Sequence, residues 1–419
     1  MRIADWLTIE EALRIILEHV SPVGTEQVPL EDAAFRTLAE PVVSPVDQPT
    51  WDNSAMDGFA VHAADVRDAT DARPAVLHVV DDVRAGGFPA RAIVPGEATR
   101  IMTGAPVPAG ADTVVRVEHT RALDGGRVAV VRAMDAGRNV RMRGEDLQAG
   151  QSVFAPGRLL RPAEIGVLAM IGHVRPLVRR RPRVAILATG DELVGPDRIA
   201  DVVAGTHIID SNTPALAAAL HGAGCESQPL GIARDEMPDL RARLEGARDA
   251  DALITTAGAS VGDHDLVKDA LEEIGCETLF WRVKIRPGSP FSFGIIRRPG
   301  RAPQPVFGLP GNPVSVLVTF EILVRPAIRA MLGQARVEAT RIVVRAGSDI
   351  AASPGLVRFL RVRLEDGDDG IPVAYLTGPQ GSGILTSVAA ADALLIMPID
   401  TAMVPRGELA RAVPLYTAN

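Results

Sequence analysis

Three apolar runs in this chain end in loops of small residues that also carry acids or hydroxyls. The first loop is Thr189-Gly190-Asp191-Glu192. The second starts at Thr255 and includes Gly258, Ser260, Gly262, Asp263, His264 and Asp265. The third is Gly308-Leu309-Pro310-Gly311-Asn312-Pro313-Val314-Ser315. Small residues let backbone N–H groups approach an anion, and a following helix adds its positive N-terminus. One such loop reflects only a tight turn; three together predict an anion or nucleotide site. Neither GxGxxG nor GxxxxGK[ST] occurs, so neither a dinucleotide fingerprint nor a Walker-type phosphate loop is supported.

Carboxylates accompany these loops: Glu192, Asp235 (in GIARDE), Asp263 and Asp265. Beside a phosphate, such hard oxygen ligands suit Mg²⁺. Acidic surface loops and helix caps supply the same residue types, so both readings stand. Arg282, Lys284 and Arg286 alternate, and on a strand they would share one face. Like charges on one face call for solvent or for an oxyanion such as phosphate or molybdate. Two further loops combine turn residues with reactive ones: residues 51–60 hold Asp57, and residues 101–106 hold Thr103. Turn chemistry explains their Gly and Pro but not the acid or the threonine. The histidines, among them His62, His119 and His264, show no zinc-ligand spacing. Cys225 and Cys276 follow glycines at predicted helix ends and read as small buried hydrophobes.

The elements that must hold these loops are legible from periodicity. Residues 10–19 have helical spacing, and residues 28–49 are Pro-rich and irregular. Residues 57–132 hold short β-branched runs bounded by Gly, Pro and Asp, which predict a mostly β module. Residues 138–157 read as a return crossing, and residues 162–171 as a helix with Pro near its start and Gly172 after it. From Val184 strands and helices alternate: strands at 184–190, 227–233, 251–258, 278–285, 290–296 and 305–311, and helices at 213–221, 237–247 and 266–274. Asn312 and Pro313 predict the start of a long helix to about Met331. Alternation implies a parallel, doubly wound α/β domain. After Gly333 the pattern is β again.

The chain has 419 residues with 44 basic and 52 acidic side chains, a net charge of −8. That excludes non-specific nucleic-acid binding, which needs a basic footprint. The basic residues include only the lysines Lys268 and Lys284. The N-terminal residues show no signal-peptide or membrane-span pattern, so a soluble cytoplasmic protein is expected.

The strings DNSAMDGFAV, RIMTGAPVPAGADTVV, ILATGDEL, IIDSN, GIARDE, SVGDHDLVK and GLPGNPVS occur in this order. Together they resemble the MoeA family of molybdopterin molybdenumtransferases and the E domain of gephyrin-like proteins, over nearly the whole chain. The resemblance implies a multidomain α/β and β fold. Its parts would be an N-terminal helix at 1–22, a linking domain at 23–43 and 136–175, and an inserted β module at 44–135. A molybdopterin-binding α/β domain at 176–330 and a C-terminal β domain at 331–419 complete it. It also implies a homodimer with an intersubunit active site that inserts molybdate into the dithiolene of adenylylated molybdopterin, releasing AMP with Mg²⁺. A molybdopterin adenylyltransferase and molybdoenzyme acceptors or chaperones are then expected partners.

Carried over by position, the resemblance makes Asp57, Thr103, Glu192, Asp235 and Asp265 catalytic, with Asp57 and Glu192 supporting the metal. Thr189, Gly190, Gly258, Ser260, Gly262, Pro310, Gly311 and Asn312 would bind the substrate and its nucleotide. Lys284, Arg286, Ser315, Arg361 and Ser382 would surround molybdate. Two departures stand out. The family loop SGGVSVG is here Ala257-Gly258-Ala259-Ser260-Val261-Gly262, and the family PGKP is Pro287-Gly288-Ser289-Pro290. The second removes a cation, which Lys284 replaces only if it reaches the same pocket. The competing readings are a molybdopterin adenylyltransferase, which would not need the β module, and a non-catalytic pterin-binding or scaffold paralogue.

Overall fold

Runs such as Val184 to Leu187 and Leu253 to Ile254 are buried on both sides, and they form the middle of a seven-stranded sheet. The computed structural model describes residues 4–256 and 266–415. These divide into two compact units, Met1–Glu40 with Pro156–Asn419, and Pro41–Ala155. The division falls inside the segments expected to form the linking domain.

In the first unit, the sheet runs edge to edge through Ala4–Leu7, Cys276–Val283, Ser292–Ile296, Gln304–Gly308, Ala252–Thr255, Arg183–Thr189 and Glu226–Ala233. The last four pair in parallel. The expectation of an all-parallel sheet is corrected by Ser292–Ile296, which is antiparallel to both neighbours. No helix separates Cys276–Val283, Ser292–Ile296 and Gln304–Gly308. Strands joined without a crossover helix pair antiparallel. Helices cover both faces. Ile9–Glu18, which starts at a Thr8–Glu11 capping box, shares one core with Asn212–Gly222 and the helix from Pro313. Met237–Glu245 and Leu266–Glu273 share a second core on the other face. The arrangement is therefore doubly wound, as expected.

The helix starting at Pro313 continues to Met331, but not uniformly. Pro313–Thr319 and Arg325–Met331 are α-helical, and Phe320–Val324 between them is a π-turn. Pro326 lacks an N–H and its ring would meet the carbonyl four residues back, so the wider turn just before it absorbs the conflict.

The C-terminal strands close into a barrel. Val357–Glu365, Val373–Leu376, Ile342–Ala346, Leu409–Pro414 and Ala393–Met397 pair in that order, and Val357–Glu365 also pairs with Ala393–Met397. The barrel has its own core around Val344, Val362, Leu395 and Met397. Its outer residues Phe359, Leu394 and Val413 belong to the core of the α/β domain.

The second unit is built on a six-stranded sheet, in order Thr113–Arg116, Gly58–Val61, Glu97–Ile101, Ala75–Val83, Arg127–Val130 and Thr120–Leu123. Phe59, Val61, Leu77, Val115 and Val128 fill its core. Asp135 is fully buried beneath it, 2.8 Å from Arg116 and 2.7 Å from His119. Burial opposes its ionisation, but Arg116, His119 and Asn139 outweigh that and hold its pKa at about 2. Cys225 and Cys276 are buried as expected, and burial pushes both thiols up to about 12. No helix among the described residues is long and apolar enough to cross a membrane.

Candidate functional site

In a sheet of this kind, ligands bind beyond the carboxyl ends of the parallel strands. Thr189, Thr255 and Gly308 are those ends. Thr189 is buried, and Gly190 follows with a φ of 142°. A Cβ on Gly190 would lie 2.6 Å from the Glu192 carboxylate. Glycine thus lets the acid fold back over the turn. The Asp235 N–H donates to Asp191 at 3.2 Å, and the Gly190 N–H donates to the Ala233 carbonyl. The structure therefore brings Glu192 and Asp235 together, with Asp191 as a third acid. Partial burial raises the Asp235 pKa, and the neighbouring Asp191 and Glu192 raise it further. None of the three has an ion-pair partner among the described residues. Asp191 was missed in the sequence, although it stands inside the first loop.

The third loop is held from the IIDSN segment. The Asn212 side-chain amide donates to the Gly311 carbonyl at 2.8 Å. Asp210 is buried and accepts from the N–H groups of Asn212 and Thr213, which fixes that helix start. Pro310 is buried, whereas Gly311 and Asn312 are exposed. Asn312 precedes the helix as expected, but its side chain makes no capping bond. The side-chain oxygens of Asn212, Thr213 and Thr256 are buried without a hydrogen-bond partner among the described residues. Buried polar atoms normally have partners, so this edge has bonding capacity to offer a polar ligand. Gly258, Ser260, Gly262 and Asp265 lie outside the described residues.

The alternation of Arg282, Lys284 and Arg286 does not survive folding. Arg282 has a φ of 65°, and its guanidinium stacks 4.6 Å from Trp281 and 5.5 Å from Trp6. The strand ends at Val283, and Lys284 lies in a bend between it and Ile285–Arg286. The expected shared face is therefore corrected, because period-two alternation needs unbroken extended backbone. Lys284 lies close enough to Glu11 to favour its carboxylate, after the larger effect of two Thr8 hydrogen bonds.

The segments that carry four of the five residues expected around an oxyanion meet near one helix start. Gly288, two residues after Arg286, packs on the helix of Ser315, where a Cβ would meet the Thr319 methyl at 2.3 Å. The Val314 N–H donates to the Ser382 carbonyl at 3.1 Å, which joins the 379–382 loop to the same helix start. Arg361 lies beneath that loop, fully buried. It donates to Ser387 at 3.1 Å and to the Gly381 carbonyl at 3.1 Å. Burial lowers its pKa, and no carboxylate among the described residues pairs with it. Its Nε and Nη2 hold the Ser382 loop. The sequence did not reveal Arg358. It stands opposite Arg286 in the strand pairing, is half-buried, and donates to the Ser353 carbonyl. Ser289, at the missing lysine, donates to the Ile285 carbonyl instead.

In the second unit, the two predicted loops meet directly. The Thr103 N–H and hydroxyl both donate to one Asp57 oxygen at 2.7 Å. These bonds, the backbone one first, hold the exposed Asp57 carboxyl below the usual range. Among the described residues, no group of three or more His, Cys, Asp or Glu is arranged to hold a metal ion.

Comparison with known proteins identifies the family of the fold. The MoeA N-terminal region (domains I and II) matches residues 7–172, a probable molybdopterin binding domain matches 185–330, and the MoeA C-terminal region (domain IV) matches 343–415. They define a multidomain protein built around an α/β domain of the molybdopterin-binding class. The chain is 37% identical to a molybdopterin molybdenumtransferase of Nostoc sp., over 93% of this chain and 88% of that one. It is 36% identical to molybdopterin molybdenumtransferase 2 of Mycobacterium tuberculosis, over 96% and 97%. A crystal structure of the Pyrococcus horikoshii molybdopterin biosynthesis MoeA protein superposes with a TM-score of 0.83 at 28% identity, covering 98% of this chain and all of that one. The chain belongs to the MoeA family of molybdopterin molybdenumtransferases.

Proposed function

We propose that the chain is a molybdenum-inserting enzyme of molybdenum cofactor biosynthesis. Its substrates are molybdate and adenylylated molybdopterin, and water cleaves the pyrophosphate bond to release AMP. The observation that carries this reading is the crowding of Asp191, Glu192 and Asp235 at the carboxyl edge of the sheet. Asp191 and Glu192 disfavour ionisation of Asp235, which a bound cation would relieve, and oxygen donors suit Mg²⁺. Glu192 and Asp235 would hold it, with substrate phosphate oxygens completing its shell. Bound there, Mg²⁺ supplies positive charge against the phosphates. The 189–192 and 308–312 turns receive the phosphate and nucleotide portions. Arg286, Ser315 and the Ser382 loop receive molybdate, with Arg361 fixing that loop, and Lys284 stays a weaker candidate facing Glu11. Asp57 remains ionised and fixed by Thr103, ready to orient a cation or a water.

The active form in this reading is a cytoplasmic homodimer, with Asp57 and Thr103 from one subunit serving Glu192 and Asp235 of the other. An adenylyltransferase would supply its substrate, and molybdoenzymes or their chaperones would take its product. The test is purified protein given adenylylated molybdopterin, Mg²⁺ and molybdate. Molybdate-dependent AMP release is expected. Adenylylation of free molybdopterin from ATP, or binding without turnover, would overturn the proposal.

A further inference from the structure

The amino ends of the same sheet border a cavity that the proposed reaction does not use. It encloses about 400 Å³. Asp251 precedes the strand Ala252–Thr255 and Gln304 begins Gln304–Gly308, so the cavity lies at the end of the sheet opposite Thr255 and Gly308. One wall is apolar, with Val23, Ile296, Pro305 and Met331. The polar lining presents Arg180, Arg248, Arg298 and Arg301, together with Asp249 and Asp251.

Three of these arginines have acids. Arg180 grips Asp251 at 2.7 and 2.5 Å, Arg301 pairs with Asp249 at 2.8 Å, and Arg248 pairs with Glu245 at 2.9 Å. The last two pairs are largely exposed and therefore weak. Arg298 has no acidic partner among the described residues. It is nevertheless held in place. Its Nη1 donates to the Arg248 carbonyl at 2.9 Å and to the Gln304 side-chain oxygen at 2.8 Å. The Gln304 amide nitrogen is committed to the Ala247 and Ala250 carbonyls, so its oxygen can only face Arg298. Arg301 donates to the same Arg248 carbonyl at 3.1 Å, which brings the two guanidiniums side by side. Burial lowers the Arg298 pKa, and Arg248 and then Arg301 lower it further, with Glu245 and Asp249 offsetting part of that. Fixed cations that crowd one another at a cavity are relieved by an anion, and guanidinium edges match oxyanions.

We propose that this cavity binds a small organic monophosphate or comparable oxyanion, its headgroup on Arg298 and Arg301 and its apolar body against Val23 and Met331. Lying at the opposite end of the sheet, the ligand would not compete with the proposed reaction. The test is calorimetric titration of the full chain with phenyl phosphate and with inorganic phosphate at low salt. Phenyl phosphate should saturate one site per chain and bind more tightly than phosphate. Arg298→Ala should weaken it about tenfold or more, the worth of a charged hydrogen bond. Arg301→Ala should weaken it less, and Arg286→Ala should leave it unchanged. Arg298→Gln serves as the second variant if Arg298→Ala does not fold. No saturable binding, equal affinity for the two probes, indifference to both Arg298 variants, or loss on Arg286→Ala would each overturn the proposal.

Discussion

Asp57 and Asp235 are both exposed acids on turns after strands or strand-like segments, yet their surroundings push them in opposite directions. Asp57 receives two hydrogen bonds from Thr103, and its pKa falls. Asp235 shares its turn with Asp191 and Glu192, and its pKa rises. The first carboxylate is satisfied by the protein alone. In the proposed reading, the second group is completed by a cation. The β module presents a fixed charge satisfied by its own donors, while under the proposed function the α/β edge would be completed by metal and phosphate. A preorganised charge costs no rearrangement at the moment of reaction.

The largest expected effect comes from deleting the finished half. Asp57→Ala should lower AMP release by at least about a hundredfold, the low end for a positioned acid or base, with only a small fall in the thermal midpoint at neutral pH. A full-activity variant would make Asp57 a turn residue and remove one side of the contrast. Glu192→Ala should be similarly inactive. Mixing and re-equilibrating these two inactive proteins tests whether the halves work across subunits. Random pairing makes about half the dimers mixed, each with one intact site, so activity should return to about a quarter of normal. No recovery would place both halves within one subunit.

Much of this architecture was legible because helical and strand periods differ, and because residues 57 and 103 stood in turns that turn chemistry did not require. What escaped depended on pairing between distant segments. Ser292–Ile296 reads like any buried strand, and only its short connections make it antiparallel. The alternation at 282–286 was real in sequence, but the positive φ of Arg282 and the bend at Lys284 cancel it. Arg361 reads in sequence as an anion contact, but its Nε and Nη2 also hold a loop, which only the fold reveals. Arg358 carried no local signal at all, since its position opposite Arg286 arises from pairing between Ile285–Arg286 and a strand about seventy residues away in sequence.

A smaller effect should come from the incomplete half. Asp235→Asn removes one of three crowded acids, so the half-saturating Mg²⁺ concentration should rise about tenfold, the low end for perturbing a metal site. Stability without metal should move the other way. A folded-state pKa above the unfolded value means that ionisation at neutral pH disfavours the fold, a penalty relieved as pH falls through the raised pKa. The metal-free Asp235→Asn protein should therefore melt above the wild type near neutral pH, and the gap should close on acidification. Asp57 has the opposite sign. Its depressed pKa stabilises the fold above the ordinary value of 3.8, and that contribution is lost as pH falls through the lower folded value. Matching melting-versus-pH slopes for Asp57→Asn and Asp235→Asn would erase the contrast.

The smallest expected effect separates the two bonds that make Asp57 different. Both reach the same oxygen at 2.7 Å, but the backbone N–H contributes more to lowering the pKa than the hydroxyl does. Thr103→Val keeps the β-branched shape and the N–H and deletes only the hydroxyl. Asp57 should then stay ionised at neutral pH, with its pKa moved part of the way back toward 3.8. AMP release should fall only a few-fold, as expected for one hydrogen bond to a charged group that keeps its other donor. The acid limb of the pH–rate profile should move upward in the same variant. Thr103→Ser restores a hydroxyl at the same position and should restore both rate and profile. If Thr103→Val instead matches Asp57→Ala, the hydroxyl is acting on substrate or water and not merely fixing the carboxylate. Thr103 would then join Asp57 as a reacting group of the β module.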